Sequence, residues 1–445
     1  MSLILLMHAL AALGAAPPVA EDVRGVIEAV SPQHLRATID RLDAFGTRHT
    51  LSDTESNERG IGAARRWLRD QLQAIADASG RDDISVELMR HLQEAGRRNP
   101  VEVEVVNPVM VIPGTMPEAK DRMLVVLGHY DSRAGRGNDA EIDAPGANDD
   151  GSGTAAVLEL ARVFATRPCE ATTVFLMTAG EEQGLYGATW FARTAADAGW
   201  RIEAALSNDI MGDPSGPDGL MARDLVRVFS EGIPRNLDQV AIGRIRGLSM
   251  ENDSPSRQLA RYIHEIARVY DTPVKPWLIH RPDRFLRGGD HSPFNERAYA
   301  AVRFTEVYEN YDRQHQDVRI VDGERYGDVA KYVDEAYLAD VTRLNGAALF
   351  ALANAPAAPG NARIITAGLS NDTTLRWDAS PEPDVAGYEI LFRDTAAPLW
   401  EHIVDAGDVT EFTIDRSKDN WFFGIRAYDR DGHRSLVSFP AAARE

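Results

Sequence analysis

The sequence has 445 residues and only one cysteine, Cys169. A single cysteine cannot form a disulfide within the chain, so no disulfide framework supports the fold. Cys169 follows Pro168 after a predicted helix end, and nothing nearby suggests an activated thiol, which argues against cysteine catalysis. The fold must depend on its hydrophobic core, and the chain is long enough for two or three domains.

Positive charge is also scarce. The chain has 48 basic and 68 acidic residues, which gives a formal net charge of -20, and no basic tail compensates for it. Binding to polyanions depends on clustered lysine and arginine. This composition therefore argues against nucleic acid or an anionic membrane as a partner.

Long apolar runs are missing except at the start. Residues 2–20, SLILLMHALAALGAAPPVA, resemble the apolar core and small-residue cleavage site of a secretory signal, although the usual basic residues before the core are absent. We therefore expect residues 1–20 to be a signal peptide and the protein to be periplasmic or secreted. No other segment reaches the roughly 20 apolar residues of a membrane span, so none is expected.

The stretch that organises the chain is a short apolar run at Met123–Leu127, which is rich in β-branched residues and predicts a buried strand. His129 and Asp131 follow it directly. Side chains alternate faces along an extended backbone, so these two project to the same side. A carboxylate beside an imidazole is the usual way to orient a histidine that binds a metal.

A glycine-rich loop then delivers Asp149 and Asp150 to the start of a predicted helix. Open α/β sheets place their sites at the carboxyl ends of strands, and this loop returns to that end. An Asp-Asp-Gly-Ser segment by itself is ordinary turn and helix-cap chemistry, so the case for a site depends on the rest of the chain.

Two later predicted strands also end in acidic residues. The apolar segment ATTVFLMTAG is followed by Glu181 and Glu182, and IEAALSN is followed by Asp209. Neighbouring side chains diverge in a near-extended segment, so one of the two glutamates can bind a metal while the other faces the attacking water. Further imidazoles come later in the chain, from His291 and His315, with a predicted strand, AYAAVRFTE, between them.

This set of side chains suits zinc or a similar divalent ion, because it contains histidine and carboxylate ligands without thiolate. The five candidate ligands exceed the needs of one tetrahedral site; they are His129, Asp149, Glu182, Asp209 and His315. A pair of metal ions about 3.5 to 4 Å apart, bridged by one carboxylate, would use all five.

Six segments together resemble the M28 metallopeptidases, a family of zinc aminopeptidases: HYDS, GANDDGSG, AGEEQGLYGA, SNDIMGD, GGDHSPF and ENYDRQHQ. The resemblance covers about residues 120–330. It implies an α/β fold in which a mixed β-sheet is flanked by helices, with the site above the carboxyl edge of the sheet. It also implies peptide substrates and two Zn²⁺ ions per chain.

The resemblance further implies a role for each matching residue. Asp149 would bridge the two ions, with His129 and Asp209 on one and Glu182 and His315 on the other. Glu181 would be the general base, and Asp131 would orient His129. The family also implies a cis peptide bond after Asp149.

The last ligand departs from the common family pattern, in which a Tyr-His-Thr sequence is usual. Here Tyr311 is followed by Asp312-Arg313-Gln314-His315, so His291 is a rival to His315. His291 nevertheless fits the family's Asp-His-x-Pro segment, which lines the site without binding metal. Both histidines remain candidates on the sequence alone.

The peptidase-like region is expected to span residues 21–354, to begin with amphipathic helices and to close with a long amphipathic helix over residues 323–355. From residue 355 the composition changes to a linker, PAAPGN, and then to about seven short predicted strands, the last of them SLVSFP at residues 435–440. That pattern predicts an all-β immunoglobulin-like sandwich over residues 355–445. It resembles a fibronectin type III domain, which could contact a protein or a polysaccharide.

The leading functional hypothesis is a dizinc exopeptidase that removes N-terminal residues from peptides. A carboxypeptidase and a glutaminyl-cyclase-like transferase share the scaffold and remain alternatives. A non-catalytic binding protein on the same scaffold is the alternative from a different class. Glu306 and Glu309, beyond the strand AYAAVRFTE, are candidates to meet a substrate ammonium or to serve the structure.

Overall fold

A computed structural model describes residues 19–235 and 237–444. The predicted signal peptide lies outside the described residues except for its last two positions. The chain divides into two compact units, Glu21–Asn354 and the part from Ala355 onward. None of the described helices combines the length and the apolar composition that crossing a bilayer requires.

The first unit is built on an eight-stranded sheet with the order β1-β2-β4-β3-β5-β8-β6-β7. Its strands are β1 Ser85–Gln93, β2 Val103–Ile112, β3 Arg122–His129, β4 Thr172–Thr178, β5 Arg201–Asn208, β6 Leu225–Ser230, β7 Lys275–Ile279 and β8 Ala300–Thr305. The four central strands β4, β3, β5 and β8 are parallel, whereas β1 and β2 form an antiparallel hairpin and β6 runs antiparallel to β8. The predicted mixed sheet is therefore confirmed.

Helices flank this sheet: α1 Asp22–Ala29, α2 Pro32–Asp43, α3 Gly60–Ser79, α4 Gly151–Ala165, α5 Glu181–Gly184, α6 Tyr186–Asp197, α7 Gln239–Gly247, α8 Pro255–Val269, α9 Ser292–Asn295 and α10 Glu335–Ala353. Their starts follow capping chemistry, since the side chains of Ser31, Asp150 and Ser254 each accept a backbone N–H of the first turn.

The long helix predicted over residues 323–355 is wrong at its start. Asp334 caps α10 by accepting the backbone N–H groups of Ala336 and Tyr337, so the helix begins at Glu335. The preceding residues instead form a two-stranded hairpin of β9 Arg319–Val321 and β10 Glu324–Tyr326. Asp334 could have been recognised in the sequence as a helix cap. The short exposed hairpin could not have been predicted, because its residues have no apolar pattern.

The centre of the sheet is buried on both faces, which is typical of parallel strands. Val125 and Leu127 of β3 pack in a core cluster with Leu176 of β4. At the end of β3, a Cβ atom on Gly128 would lie 2.7 Å from the backbone carbon of Gly153 in α4. Only glycine allows this approach, which brings the start of α4 against the end of β3.

In the described part of the second unit the regular elements are all strands: β11 Gly360–Ile365, β12 Thr373–Asp378, β13 Val385–Asp394, β14 His402–Gly407, β15 Glu411–Ile414, β16 Trp421–Asp429 and β17 Ala441–Ala443. They form a four-stranded sheet, β15-β12-β11-β17, and a three-stranded sheet, β14-β13-β16. The last strand was predicted at residues 435–440, which is wrong, because Ser438 makes only an isolated bridge to Ile425. The strand lies at Ala441–Ala443 and pairs with β11 in parallel.

Candidate metal centre

The candidate site lies at the carboxyl edge of the three central strands. His129 is the last residue of β3, Asp209 follows the end of β5, and α5 begins three residues after the end of β4 with Glu181 and Glu182. Because β3 lies between β4 and β5, and all three run in parallel, these side chains meet at one edge.

Asp149 lies at the middle of this cluster. Its Oδ1 atom is 3.3 Å from Nε2 of His129, and its Oδ2 atom is 2.8 Å from Nε2 of His315. The Nε2 atom of His129 is also 3.8 Å from Oδ1 of Asp209, and that of His315 is 2.9 Å from Oε1 of Glu182. The two oxygens of one carboxylate thus face two different imidazoles, each of which has a second carboxylate beside it.

These polar atoms fit cations. Nε2 of His129, Oε1 of Glu182 and Oδ1 of Asp209 are buried and accept or donate no hydrogen bond within the described part of the chain. Buried polar atoms without partners are costly, and carboxylate oxygens close to one another repel. Imidazole nitrogen and carboxylate oxygen without sulfur are zinc ligands, so a divalent ion such as Zn²⁺ suits the donor set.

The structure brings His315 to the cluster and keeps His291 away from it. His291 is fully buried, with Nε2 2.7 Å from the backbone oxygen of Pro282 and 4.0 Å from the carboxylate of Asp283. His315 lies in the loop after β8 and has a positive φ of 55°. That loop conformation could not be read from the sequence, which is why the two histidines could not be separated there.

The adjacent glutamates have different surroundings. Glu182 is buried, whereas Glu181 is half-buried. A carboxylate oxygen of Glu181 lies in a group with His129 and Asp209 whose atoms are all within 4.8 Å of one another. Gly180, with φ 75°, makes the turn that separates the pair from β4. Glu181 is thus close to the candidate ligands and still reachable from outside.

Asp131 supports both sides of the site. Its Oδ1 accepts the backbone N–H of Glu181 and its Oδ2 that of Glu182, each at 3.2 Å. The Nδ1 atom of His129 is 3.1 Å from the backbone oxygen of Asp131 and 3.5 Å from its Oδ1 atom. The predicted contact with the imidazole therefore exists, but the backbone oxygen is the nearer acceptor, and the carboxylate also holds the glutamate turn.

Crowding of carboxylates perturbs ionisation at the centre. Burial raises the pKa of Glu181 well above its usual range, and Asp209, Glu182 and Asp290 raise it further against the opposing charge of His129. For Asp149, burial acts upward, but His315 and His129 outweigh it and hold the pKa well below its usual range. Asp149 is therefore the carboxylate most firmly kept ionised between the two imidazoles.

Two further residues support the site. Asp150 accepts the backbone N–H groups of His129 at 3.0 Å and of Gly153 at 2.8 Å, so it ties β3 to α4. Asp328 accepts the backbone N–H of Asp149 at 2.8 Å. The peptide bond between Asp149 and Asp150 is cis, as the family resemblance implied. Asp328 has no sequence signal, because it lies in a loop 179 residues from its partner.

Arg303 is a further supporting residue, and it was not predicted from the sequence. It is fully buried in β8, with Nη2 3.0 Å from Oδ2 of Asp209 and Nη1 3.0 Å from Oδ2 of Asp283. It leaves only the other oxygen of Asp209 facing His129. A signal was present, since an arginine inside the apolar run AYAAVRFT must be paired if the strand is buried.

The two glutamates considered for a substrate ammonium are occupied. Glu306 accepts a hydrogen bond from Nδ2 of Asn148 at 2.9 Å and from the backbone N–H of Asp213 at 2.8 Å. Glu309 forms ion pairs with Arg227 and Arg284. Both residues therefore serve the structure.

Comparison with known proteins gives consistent results. A sequence profile of peptidase family M28 matches residues 107–336. A probable zinc metalloprotease of Leptosphaeria maculans is 41% identical over 425 residues, which are 95% of this chain and 98% of that protein. One of Pyricularia oryzae is 42% identical over 426 residues, 94% of this chain and 84% of that protein.

Solved structures share the fold. The LapA aminopeptidase of Legionella pneumophila superposes with a TM-score of 0.53 at 19% identity, over 77% of this chain and 78% of its own. A glutaminyl cyclase of Fimbriiglobus ruber superposes with a TM-score of 0.51 at 17% identity, over 72% of this chain and 95% of its own. At these identities the likeness concerns the fold alone.

Proposed function

Because this chain belongs to peptidase family M28 and is a zinc metallopeptidase, we propose that it is an exopeptidase that uses two zinc ions to remove N-terminal residues from peptides. The observation that carries the two-ion proposal is the position of Asp149, whose two oxygens lie 3.3 and 2.8 Å from the imidazoles of His129 and His315. One carboxylate between two histidine and carboxylate pairs offers ligands for two ions, and two-metal sites occur in hydrolases such as aminopeptidases.

In this proposal His129 and Asp209 would hold one ion, Glu182 and His315 would hold the other, and Asp149 would serve both. Bound zinc would supply Lewis acidity, which lowers the pKa of water towards neutrality and polarises a carbonyl. Asp150, Asp328 and Arg303 fix the loops and oxygens that present these ligands. Such supporting contacts orient ligands and tune the ion.

Glu181 acts as the general base. It accepts a proton from the attacking water and then donates it to the nitrogen of the leaving amine. Burial is the first cause of its raised pKa, and burial helps this carboxylate to hold the proton before it releases it. Asp131 positions Glu181 through the backbone N–H rather than through the carboxylate, so the reacting oxygens stay free.

The choice of an N-terminal exopeptidase draws support from fold relatives that are named as aminopeptidases. The experiment compares one peptide with a free N-terminus, its N-acetylated form and a form that begins with glutamine. Release of the first residue from the free peptide only, abolished by a chelator and restored by Zn²⁺, is the expected result. Release of the last residue would identify a carboxypeptidase, and loss of ammonia from N-terminal glutamine without cleavage would identify a cyclase.

A further inference from the structure

A groove of about 590 Å³ lies at the end of the sheet formed by β6 and β7. We name it the arginine groove and define it by Arg227, Trp277, Arg281, Arg284, Arg287 and Glu309. Four arginines and one glutamate in a single groove are unexpected in a chain whose net charge is -20.

The floor of the groove is the open face of two strands. Arg227 of β6 pairs in register with Trp277 of β7, so both side chains leave the same face of the sheet. The intervening residues Val226 and Val228 are buried on the opposite face, where α8 packs. Trp277 is 50% exposed, which shows that the groove side of β7 is not covered, whereas Phe229 on the same face of β6 is buried.

The groove is preformed. Its walls are the loop of residues 281–287 and the loop of residues 307–311. Glu309 connects floor and walls, with one oxygen 2.7 Å from Arg227 and the other 2.6 Å from Arg284. A ligand therefore meets a surface that is already ordered, which lowers the entropy cost of binding.

Two of the four arginines keep an available charge. Glu309 is paired with Arg227 and Arg284, whereas Arg281 and Arg287 are exposed and form no ion pair within the described part of the chain. The guanidinium of Arg281 stacks 3.9 Å above the ring of Phe285, which is itself 78% exposed. Exposed aromatic and cationic groups in one concave surface are typical of a binding site.

Both walls lead into the metal centre. The loop of residues 281–287 continues to Asp290, which accepts a hydrogen bond from Oγ1 of Thr178 at the end of β4, three residues before Glu181. The loop of residues 307–311 continues to His315, the fifth proposed ligand. Direct contacts connect the groove and the centre: Arg284 of the groove lies 3.1 Å from Asp283, and Arg303 pairs with both Asp283 and Asp209. A peptide held at the centre would therefore find the groove beside it.

We propose that the arginine groove binds the substrate next to the scissile bond and selects peptides that carry an acidic side chain within their first three residues. This inference depends on the exopeptidase function proposed above. A guanidinium binds a carboxylate through two parallel hydrogen bonds, and the aromatic rings pack against the apolar part of the side chain. The volume of the groove leaves room for more than one residue.

The test measures kcat/KM for peptides with a free N-terminus that differ only in having Glu or Gln at position 1, 2 or 3. In the native protein we expect Glu to be preferred by about tenfold at one or more positions, with a smaller preference at high salt. The double variant Arg281→Gln/Arg287→Gln should cut that preference to about twofold or less. The ratio between two substrates is the readout, so a general loss of activity does not imitate the effect.

Arg193→Gln is the matched control. Arg193 is an exposed arginine of α6, which packs on β1 and β2 at the other end of the sheet, and its variant should keep the native preference. Equal cleavage of all Glu and Gln peptides by the native protein, or an unchanged preference in the double variant, would overturn the inference. No release of the first residue from any of these peptides, whether they carry Glu or Gln, would instead refute the proposed function.

Discussion

The adjacent residues Glu181 and Glu182 provide the sharpest mutational test, because Glu181 is proposed as the general base and Glu182 as a zinc ligand. Glu181→Gln preserves the size and shape of the side chain but removes its ability to accept a proton. The hydrogen bonds that position this turn are donated by the backbone N–H groups of Glu181 and Glu182 to Asp131, so the substitution does not disturb them. The variant should therefore bind zinc as the native protein does.

The expected loss is the contribution of a general base. Such groups accelerate reactions by about 100- to 10,000-fold, so kcat should fall by that factor, which corresponds to roughly 3–5 kcal/mol. KM should change little, because Glu181 is not assigned to substrate binding. Burial raises its pKa, which supports a proton-transfer role.

The assay combines steady-state kinetics on a peptide with a free N-terminus and elemental analysis of bound zinc. Glu182→Gln is the matched comparison, since it changes the next residue in the same way but removes a proposed ligand, and it should lose zinc. Turnover of Glu181→Gln within tenfold of native would refute the general-base role. Loss of zinc from Glu181→Gln equal to that from Glu182→Gln would instead make Glu181 a ligand, as its proximity to His129 and Asp209 also permits.

Three further predictions test the geometry. His315→Gln should remove about one zinc per chain by elemental analysis, whereas His291→Gln should keep both; the opposite pattern would contradict the ligand assignment. Arg303→Met removes the arginine that pairs with buried Asp209 and leaves Asp283 with Arg284 alone, so it should lower the free energy of unfolding by roughly 3–5 kcal/mol in urea titrations; a change below about 1 kcal/mol would refute that pairing. Gly128→Ala places a Cβ atom 2.7 Å from the backbone of Gly153 and should destabilise by about 1–3 kcal/mol in the same titration, and native stability would contradict the close approach.

Much of the fold and part of the site could be predicted from the sequence because the signals are local. Strand β3 is a continuous apolar run that stops at His129, and β4 and β5 stop just before Glu181 and Asp209 in the same way. Parallel strands bring their carboxyl ends to one edge, so residues far apart in sequence could be placed together without coordinates.

What could not be predicted depends on long-range packing. The position of His315 follows from a loop with a positive φ, and Asp328 reaches Asp149 from a loop that carries no apolar pattern. The arginine groove joins residues from two strands and two loops, so no short segment of the sequence indicates it. The short strand at Ala441–Ala443 pairs with β11, which lies at the other end of the unit in sequence. Its three alanines have no alternation of apolar and polar residues that would predict a strand.

The most direct test of the central claim is a zinc titration of the protein after its metal has been removed by a chelator. Turnover of a peptide with a free N-terminus is followed against the equivalents of zinc added per chain. The shared position of Asp149 between His129 and His315 predicts that activity rises until two equivalents are bound. Full activity at one equivalent, or activity that never depends on zinc, would contradict the two-ion account.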